Sequence, residues 1–446
     1  MPHIPALDAR ALSVVAAPVD LFPGLEAGGG DVFWLDAGAD ARQGWSILGT
    51  GTTETDAAAA VSVRIDAVPA RDDVRPPFLG GWVGWQDYES GAAAAGAPTA
   101  GGEIGRGGAW MRVQRAIAYD HADDVLWALA PADDLDAWAA EVERRCTAAS
   151  GSVHGPTAAI DRMPAPTALA RHSPDEYAAL IERCREEIRA GSAYQLCLTT
   201  RFEVPGVHDA VAVYLRLRAA TPAHHGGFLR IGGRVLLSAS PEQFLLTDRG
   251  RVITRPIKGT RPRSADPGED AALAVELLES AKERAENVMI VDLMRNDLSQ
   301  VCAPGTIRVE GLWEVESYPA VHQLVSTVSG EPAPHTTVGV LLDAAFPAGS
   351  MTGAPKLSAM TILCGLEDAP RGVYSGCFGY VGLDGALDLA MVIRSILIDR
   401  EGAYVGAGGG ITWGSEPRSE VAEVAIKARA PLAALGARLP EAWLGG

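Results

Sequence analysis

Cations are scarce in this chain. Its 446 residues carry 38 Lys and Arg against 56 Asp and Glu, a formal charge of −18, so a nucleic acid or an anionic membrane surface would be repelled. An anionic small molecule must then be met by a local cluster of cations or by a metal. Cysteine is sparse and dispersed. Cys146, Cys184, Cys197, Cys302, Cys364 and Cys377 contain no C-x-x-C pair, which argues against a disulfide framework or a zinc site and leaves buried thiols. Long apolar runs are missing too: no basic stretch followed by an apolar h-region opens the chain, and no run nears the ~20 residues that span a bilayer. A cytoplasmic protein is expected. What is present, 48% hydrophobic and 21% charged residues, suits a globular protein with a sizeable core.

Two stretches read as breaks. Residues 90–108 are rich in Ala and Gly and read as a loop, and residues 151–172, rich in Ala, Pro, Ser and Thr, read as a linker. Before the linker, residues 1–150 hold short apolar segments such as Val32-Phe33-Trp34-Leu35 and Gly80 to Trp85, the pattern of a β-rich region packing on a core. After it, residues 173–435 form the remaining region. Ser173, Pro174 and Glu176 spell a capping box that starts a helix, and Gly191 ends it. Strand-like segments follow at Gln195–Thr200, Gly227–Ile231, Val235–Ser238 and Phe244–Leu246. A long helix is expected over Glu269–Leu293, strands over Gly376–Val381, Leu389–Ile398 and Ala403–Gly406, and a last helix over Ser419–Leu435. Helices and strands mix without βαβ alternation or internal repeat, which predicts an α+β sandwich of sheets packed with outer helices.

Several residues carry chemistry. The segment Arg255-Pro256-Ile257-Lys258-Gly259-Thr260-Arg261-Pro262-Arg263 sets one lysine in a stiff Pro/Gly frame among three arginines. A lysine among cations in a partly dry cleft is pushed toward the neutral amine that attacks carbon, whereas a cationic surface loop is the plainer reading. Glu283 and Glu286 share a face of one helix, and Glu420 and Glu423 share a face of another. Facing one another, they would offer four hard oxygen donors suited to Mg²⁺; either pair alone reads as a solvated helix face. Arg394 lies within apolar Met391 to Ile396 and needs a carboxylate, structural or bound. Tyr374 and Lys427 add a hydroxyl and a cation. Gly349 to Lys356 and Gly406 to Gly410 imitate phosphate and dinucleotide loops, but their spacing or context is wrong for either. They read as places where backbone approaches an anionic ligand. Glu242, at a strand entry, suits a general acid. His322, alone among apolar residues, reads more readily as a satisfied core histidine than as a catalyst.

Taken together, Ser240-Pro241-Glu242, Arg255 to Arg263, Lys282 to Asn287, Val291 to Leu298, His322 to Ser326, Phe346 to Lys356, Gly406 to Ile411 and Glu420-x-x-Glu423-x-x-x-Lys427 resemble the chorismate-utilising enzymes, in family order across about residues 173–430. That family includes anthranilate, isochorismate, salicylate and aminodeoxychorismate synthases. The resemblance implies the family's large α/β sandwich and a Mg²⁺ ion held by Glu283, Glu286, Glu420 and Glu423. It implies that Tyr374, Arg394, Lys427 and the backbone of Gly408, Gly409 and Gly410 bind the chorismate carboxylates, with Thr260, Thr352 and His322 lining the ring pocket and Gln195 also at the substrate. Family members that add water carry a lysine base where this chain has Gln195, so water addition is disfavoured. Lys258, with Asn287 where histidine is common, resembles the branch that forms 4-amino-4-deoxychorismate for para-aminobenzoate and folate. The alternative is the anthranilate-forming branch. The implied chemistry is attack by Lys258 with Glu242 as acid, then displacement by ammonia from a separate glutamine amidotransferase subunit.

Overall fold

The strand Asp31–Asp36 is apolar on both of its faces. Side chains alternate across a pleated strand, and here Val32 and Trp34 enter one core while Phe33 enters another. Arg234–Ser240 divides in the same way, with Val235 and Leu237 opposite Leu236. In Cys377–Gly382, Phe378 and Tyr380 oppose Cys377 and Val381. Strands with two apolar faces must be covered on both. In the computed structural model, which describes residues 6–56, 58–66, 74–100, 107–149 and 165–444, the solution is four layers. Two sheet halves pack face to face, and helices cover each outer surface. The α+β sandwich expected from the sequence is the fold.

The described strands form one antiparallel network. Its path starts at Gln195–Pro205 and Gly402–Ile411 and runs through Ser395–Ile398, Arg234–Ser240, His225–Ile231 and Asp31–Asp36 to Trp45–Thr53 and Ala109–Asp120. Gly81–Gln86 then leads to Cys377–Gly382, Leu387–Met391, Gln243–Asp248, Arg251–Thr254 and finally Val321–Gly330. The chain crosses between the halves at two adjacent links. One is Pro241-Glu242, the other Val392-Ile393-Arg394; Met391 N–H donates to the Glu242 carbonyl at 3.0 Å and Ala239 N–H to that of Arg394 at 3.3 Å.

The helix starting at Pro174 has the expected capping box: Ser173 Oγ accepts from Glu176 N–H, and Glu176 Oε2 accepts from Ser173 N–H at 2.8 Å. Three expectations need correction. The long helix over Glu269–Leu293 is two helices, Pro267–Glu279 and Ala281–Ser299, because Ser280 adopts an extended conformation and its Oγ caps the second by accepting from Glu283 N–H. The strand over Leu389–Ile398 is broken between Met391 and Ser395, where Arg394 takes a left-handed φ of 50° at the crossing. The Ala/Gly-rich stretch from residue 90 continues a helix, Tyr88–Ala94, since alanine favours helix wherever tertiary packing permits. Residues 101–106 of that stretch and 150–164 of the linker lie outside the described residues. Leu169–Ala170 pairs with Gln195–Pro205.

Phe33 is fully buried between the sheet halves. Phe33→Ala is expected to destabilise the fold by about 3–5 kcal/mol, read as a lower urea midpoint with an unchanged slope.

Candidate functional site

Lys258 lies in the strand Ile257–Pro262, which pairs with Val321–Gly330 and bulges between Lys258 and Thr260. Gly259 makes the bulge with a φ of 76°, and a side chain there would press on Leu277 at 2.7 Å and Glu283 at 3.0 Å. Lys258 and Thr260 both line a cavity of about 530 Å³. Asn287 braces the frame from behind, its Oδ1 accepting from Ser326 Oγ at 2.6 Å and its Nδ2 3.5 Å from the Pro256 carbonyl. The three arginines do not crowd the lysine as free cations. Arg255 pairs with Glu316, Arg261 with Glu276 at 2.9 Å, and Arg263 with Asp270 at 2.7 Å. Instead Lys258 Nζ lies 3.7 Å from Glu286 Oε2.

The four glutamates line the same cavity. Glu283 and Glu286 come from the helix Ala281–Ser299, Glu420 and Glu423 from Pro417–Ala434. Burial raises the Glu420 carboxyl above its ordinary range, although Ser415 Oγ donates to it at 2.7 Å. Lys427 lies 2.7 Å from Glu423 and donates to the Gly408 carbonyl at 2.9 Å. In donor type the set fits a hard divalent ion. Cations hold its members, however, and among the described residues no three His, Cys, Asp or Glu converge as a metal site.

Arg394 and Tyr374 line the cavity beside Gly406 to Gly410. Burial lowers the Arg394 guanidinium below its ordinary range. The salt bridge that an arginine in an apolar segment calls for is absent: the side chain makes no ion pair among the described residues, as a group awaiting a bound carboxylate would be. Glu242 lines the opposite crossing link. Burial pushes its carboxyl up to about 7, against the opposing pull of Ser350 Oγ, which donates to Oε1 at 2.8 Å. A carboxyl held protonated near neutrality is a proton donor.

Three expected residues are not in the cavity wall. His322 faces away, with Nε2 3.0 Å from Asp270 Oδ1 and Nδ1 2.8 Å from Ser317 Oγ. Side chains alternate along a strand, so it is Gln323 that lines the cavity. Thr352 is fully buried, and its Oγ1 bonds back to the Ala348 carbonyl at 3.1 Å within its own short helix. Gln195 lies behind Gly410, without exposed surface.

Sequence reasoning also missed what holds the wall. Arg371 is buried and donates to Glu367 at 2.8 Å, to the Cys197 carbonyl at 2.8 Å and to the Met351 carbonyl at 2.7 Å. Cys197 and Met351 line the cavity. Glu89, from the helix Tyr88–Ala94, accepts from Arg371 and Gly372 N–H. Helical spacing offered no signal for this pair, because the helix ends at Glu367 and Arg371 follows Pro370 in the turn beyond it. A second cavity, of about 420 Å³, is lined by Asp36, Trp45, His224, Arg255 and Tyr318 among others, and by neither Lys258 nor any of the four glutamates.

Comparison with known proteins gives a consistent result. Residues 31–433 match the family described as chorismate binding enzyme. The chain is 43% identical to the aminodeoxychorismate synthase of Streptomyces pristinaespiralis over 80% of its own length, and it spans about half of that relative, 50%. It is 37% identical to anthranilate synthase component 1 of Thermus thermophilus, covering 88% of this chain and 85% of that one. The crystal structure of anthranilate synthase component I from Streptococcus pneumoniae superposes with a TM-score of 0.72 at 25% identity, covering 97% of this chain and 92% of that one.

Removing one partner of a buried ion pair strands the other charge. Arg371→Met is expected to cost about 3–5 kcal/mol of stability, and Glu367→Gln in the same chain to recover part of it. A double-mutant cycle on urea unfolding reads the coupling.

Proposed function

The chain belongs to the chorismate binding enzyme family, and from that premise we propose that it aminates chorismate at C4 to give 4-amino-4-deoxychorismate, as an aminodeoxychorismate synthase component I. The observation that carries this reading is one amine and one protonated acid in a single cavity: Lys258 and Glu242. Neutral Lys258 Nζ forms a bond to ring C2, the two ring double bonds each shift one place, and the C4–O bond breaks. The leaving oxygen takes the Glu242 proton and departs as water, and Nζ carries the positive charge as a secondary ammonium. Ammonia then bonds to C4, the double bonds shift back, and Nζ leaves as the neutral amine. The enolpyruvyl group stays on the ring. The product is a precursor of para-aminobenzoate and folate.

Arg394, Lys427, Tyr374 and the glycine backbone at Gly408 to Gly410 orient the substrate carboxylates in this reading. Glu283, Glu286, Glu420 and Glu423 would hold Mg²⁺. When bound, the ion supplies positive charge against the ring carboxylate and draws electrons from the ring. We assign ammonia supply to a separate glutamine amidotransferase subunit. Cys197, the cysteine in the cavity wall, has its thiol raised by burial, the reverse of an activated nucleophile. Cys184, Cys197, Cys302, Cys364 and Cys377 are free thiols, which supports a reducing compartment, the cytoplasm.

Anthranilate formation is the competing activity, and one assay separates the two. Protein, chorismate, Mg²⁺ and an ammonium salt should give no anthranilate fluorescence, and para-aminobenzoate should form only after a pyruvate-eliminating lyase is added. Immediate anthranilate fluorescence would overturn the assignment. Lys258→Ala should abolish a covalent chorismate adduct seen by intact mass spectrometry and slow turnover by at least ~10²-fold. Glu242 acts in its protonated form, present below about pH 7 and lost above it. The kcat/KM profile should therefore fall as pH rises through that value, and Glu242→Gln should remove the fall along with ~10²–10⁴-fold of the rate.

A further inference from the structure

Gln195 has no exposed surface, yet among the described residues neither its Oε1 nor its Nε2 has a hydrogen-bond partner. An amide buried in this way is destabilising, so its place calls for an explanation. Its surroundings supply one. A methyl group added to Gly410 would lie 2.7 Å from Gln195 Nε2 and 3.5 Å from Lys258 Nζ. The amide and the amine thus face one another across the side-chain position that glycine leaves empty.

The backbone of Gln195 is held from a second direction. Gln195 pairs with Ala354, and a side chain on Gly353, whose φ is 140°, would strike the Gln195 carbonyl at 2.1 Å. Both glycine-rich segments, the one ending at Lys356 and the one from Gly406 to Gly410, therefore close on this residue. With both amide ends unpartnered, rotation can present the carbonyl oxygen to the lysine. The Glu286 carboxylate, 3.7 Å from Nζ, is too distant for a direct hydrogen bond and leaves the amine's hydrogens unclaimed.

We propose that Gln195 is a positioning residue for Lys258, accepting one N–H of the neutral amine so that its lone pair points into the cavity. A primary amine has two hydrogens and one lone pair. Tying one hydrogen to Gln195 and leaning the other toward Glu286 leaves the lone pair a single direction. An amide does this without charge, whereas a carboxylate in its place would favour the ammonium, which cannot attack. The inference rests on the reading of Lys258 as nucleophile.

The test is rapid-quench intact mass spectrometry of the full chain with saturating chorismate and Mg²⁺ and no ammonia. It measures how fast the adduct of chorismate minus water appears. Gln195→Met and Gln195→Leu each remove the amide while leaving an apolar side chain of similar size. Each is expected to slow adduct formation by about 10²-fold, the scale of a 1 Å misplacement, with chorismate affinity and melting temperature close to wild type. A purely structural role would lower the melting temperature and affinity and spare the adduct rate at saturation. Either folded variant forming the adduct at the wild-type rate overturns the proposal. Should the wild type form no adduct at all, the reading of Lys258 fails first, and this inference falls with it.

Discussion

The ion pair between Glu367 and Arg371 is the tie on which the cavity depends. Both side chains are buried, and removing two charges from water is costly unless their hydrogen-bonding groups find partners. Here they find many. Arg371 reaches Glu367, the carbonyls of Cys197 and Met351, and Ser375 Oγ at 3.4 Å, while Glu367 Oε1 also accepts from Thr199 N–H and Oγ1. The strand Gln195–Pro205, the short helix Gly349–Thr352 and the turn carrying Tyr374 thus meet at one guanidinium. Glu89 brings in the N-terminal region by accepting from the same turn. The pair's worth lies in fixing one arrangement of wall segments.

The second constraint is topological. Two sheet halves packed face to face need links that pass between them, and such links expose backbone and break strand pairing. In this fold the two links are adjacent and bond to each other. They carry Glu242 and Arg394, the buried acid of the cavity and a half-buried cation without an ion pair among the described residues. The left-handed φ of Arg394 is local strain held by the surrounding layers, of the kind that gathers at functional sites. In the proposed mechanism the proton donor and the carboxylate anchor are thus placed by the crossing itself. Lys258, Arg394 and Lys427 share one cavity, and in the proposed mechanism this is where an acidic chain meets an anionic ligand, with a metal ion adding to them.

Much of the architecture could be read from pattern. The capping box at Ser173, the apolar strands and the absence of βαβ alternation all led to the sandwich, since each is a local consequence of chain geometry. Misreadings arose where one residue overrode a longer period. Ser280 split a helix whose apolar and acidic pattern continues across it, because its hydroxyl competes for a backbone amide. Arg394 broke an apolar run that reads as one strand. His322 and Gln323 differ by one position, and one position in a strand is the difference between facing the cavity and facing away.

The sequence alone determined which chemical groups are available: a lysine between Pro256 and Gly259, two Glu-x-x-Glu pairs, a glutamate after Ser240-Pro241, and glutamine at position 195. Those identities are covalent facts, and together they marked the family and suggested the proposed branch of its chemistry. Tertiary structure decided what surrounds each of them. It turned Arg255, Arg261 and Arg263 onto carboxylates, left Arg394 unpaired, buried Glu242 until its carboxyl holds a proton near pH 7, and faced Gln195 toward Lys258 across Gly410. The physical reason is that proton affinity and lone-pair direction depend on burial and on groups far apart in the chain. Lys258 and Gln195 are separated by a strand pairing, a bulge and two glycine segments, and only the folded sheet brings them together.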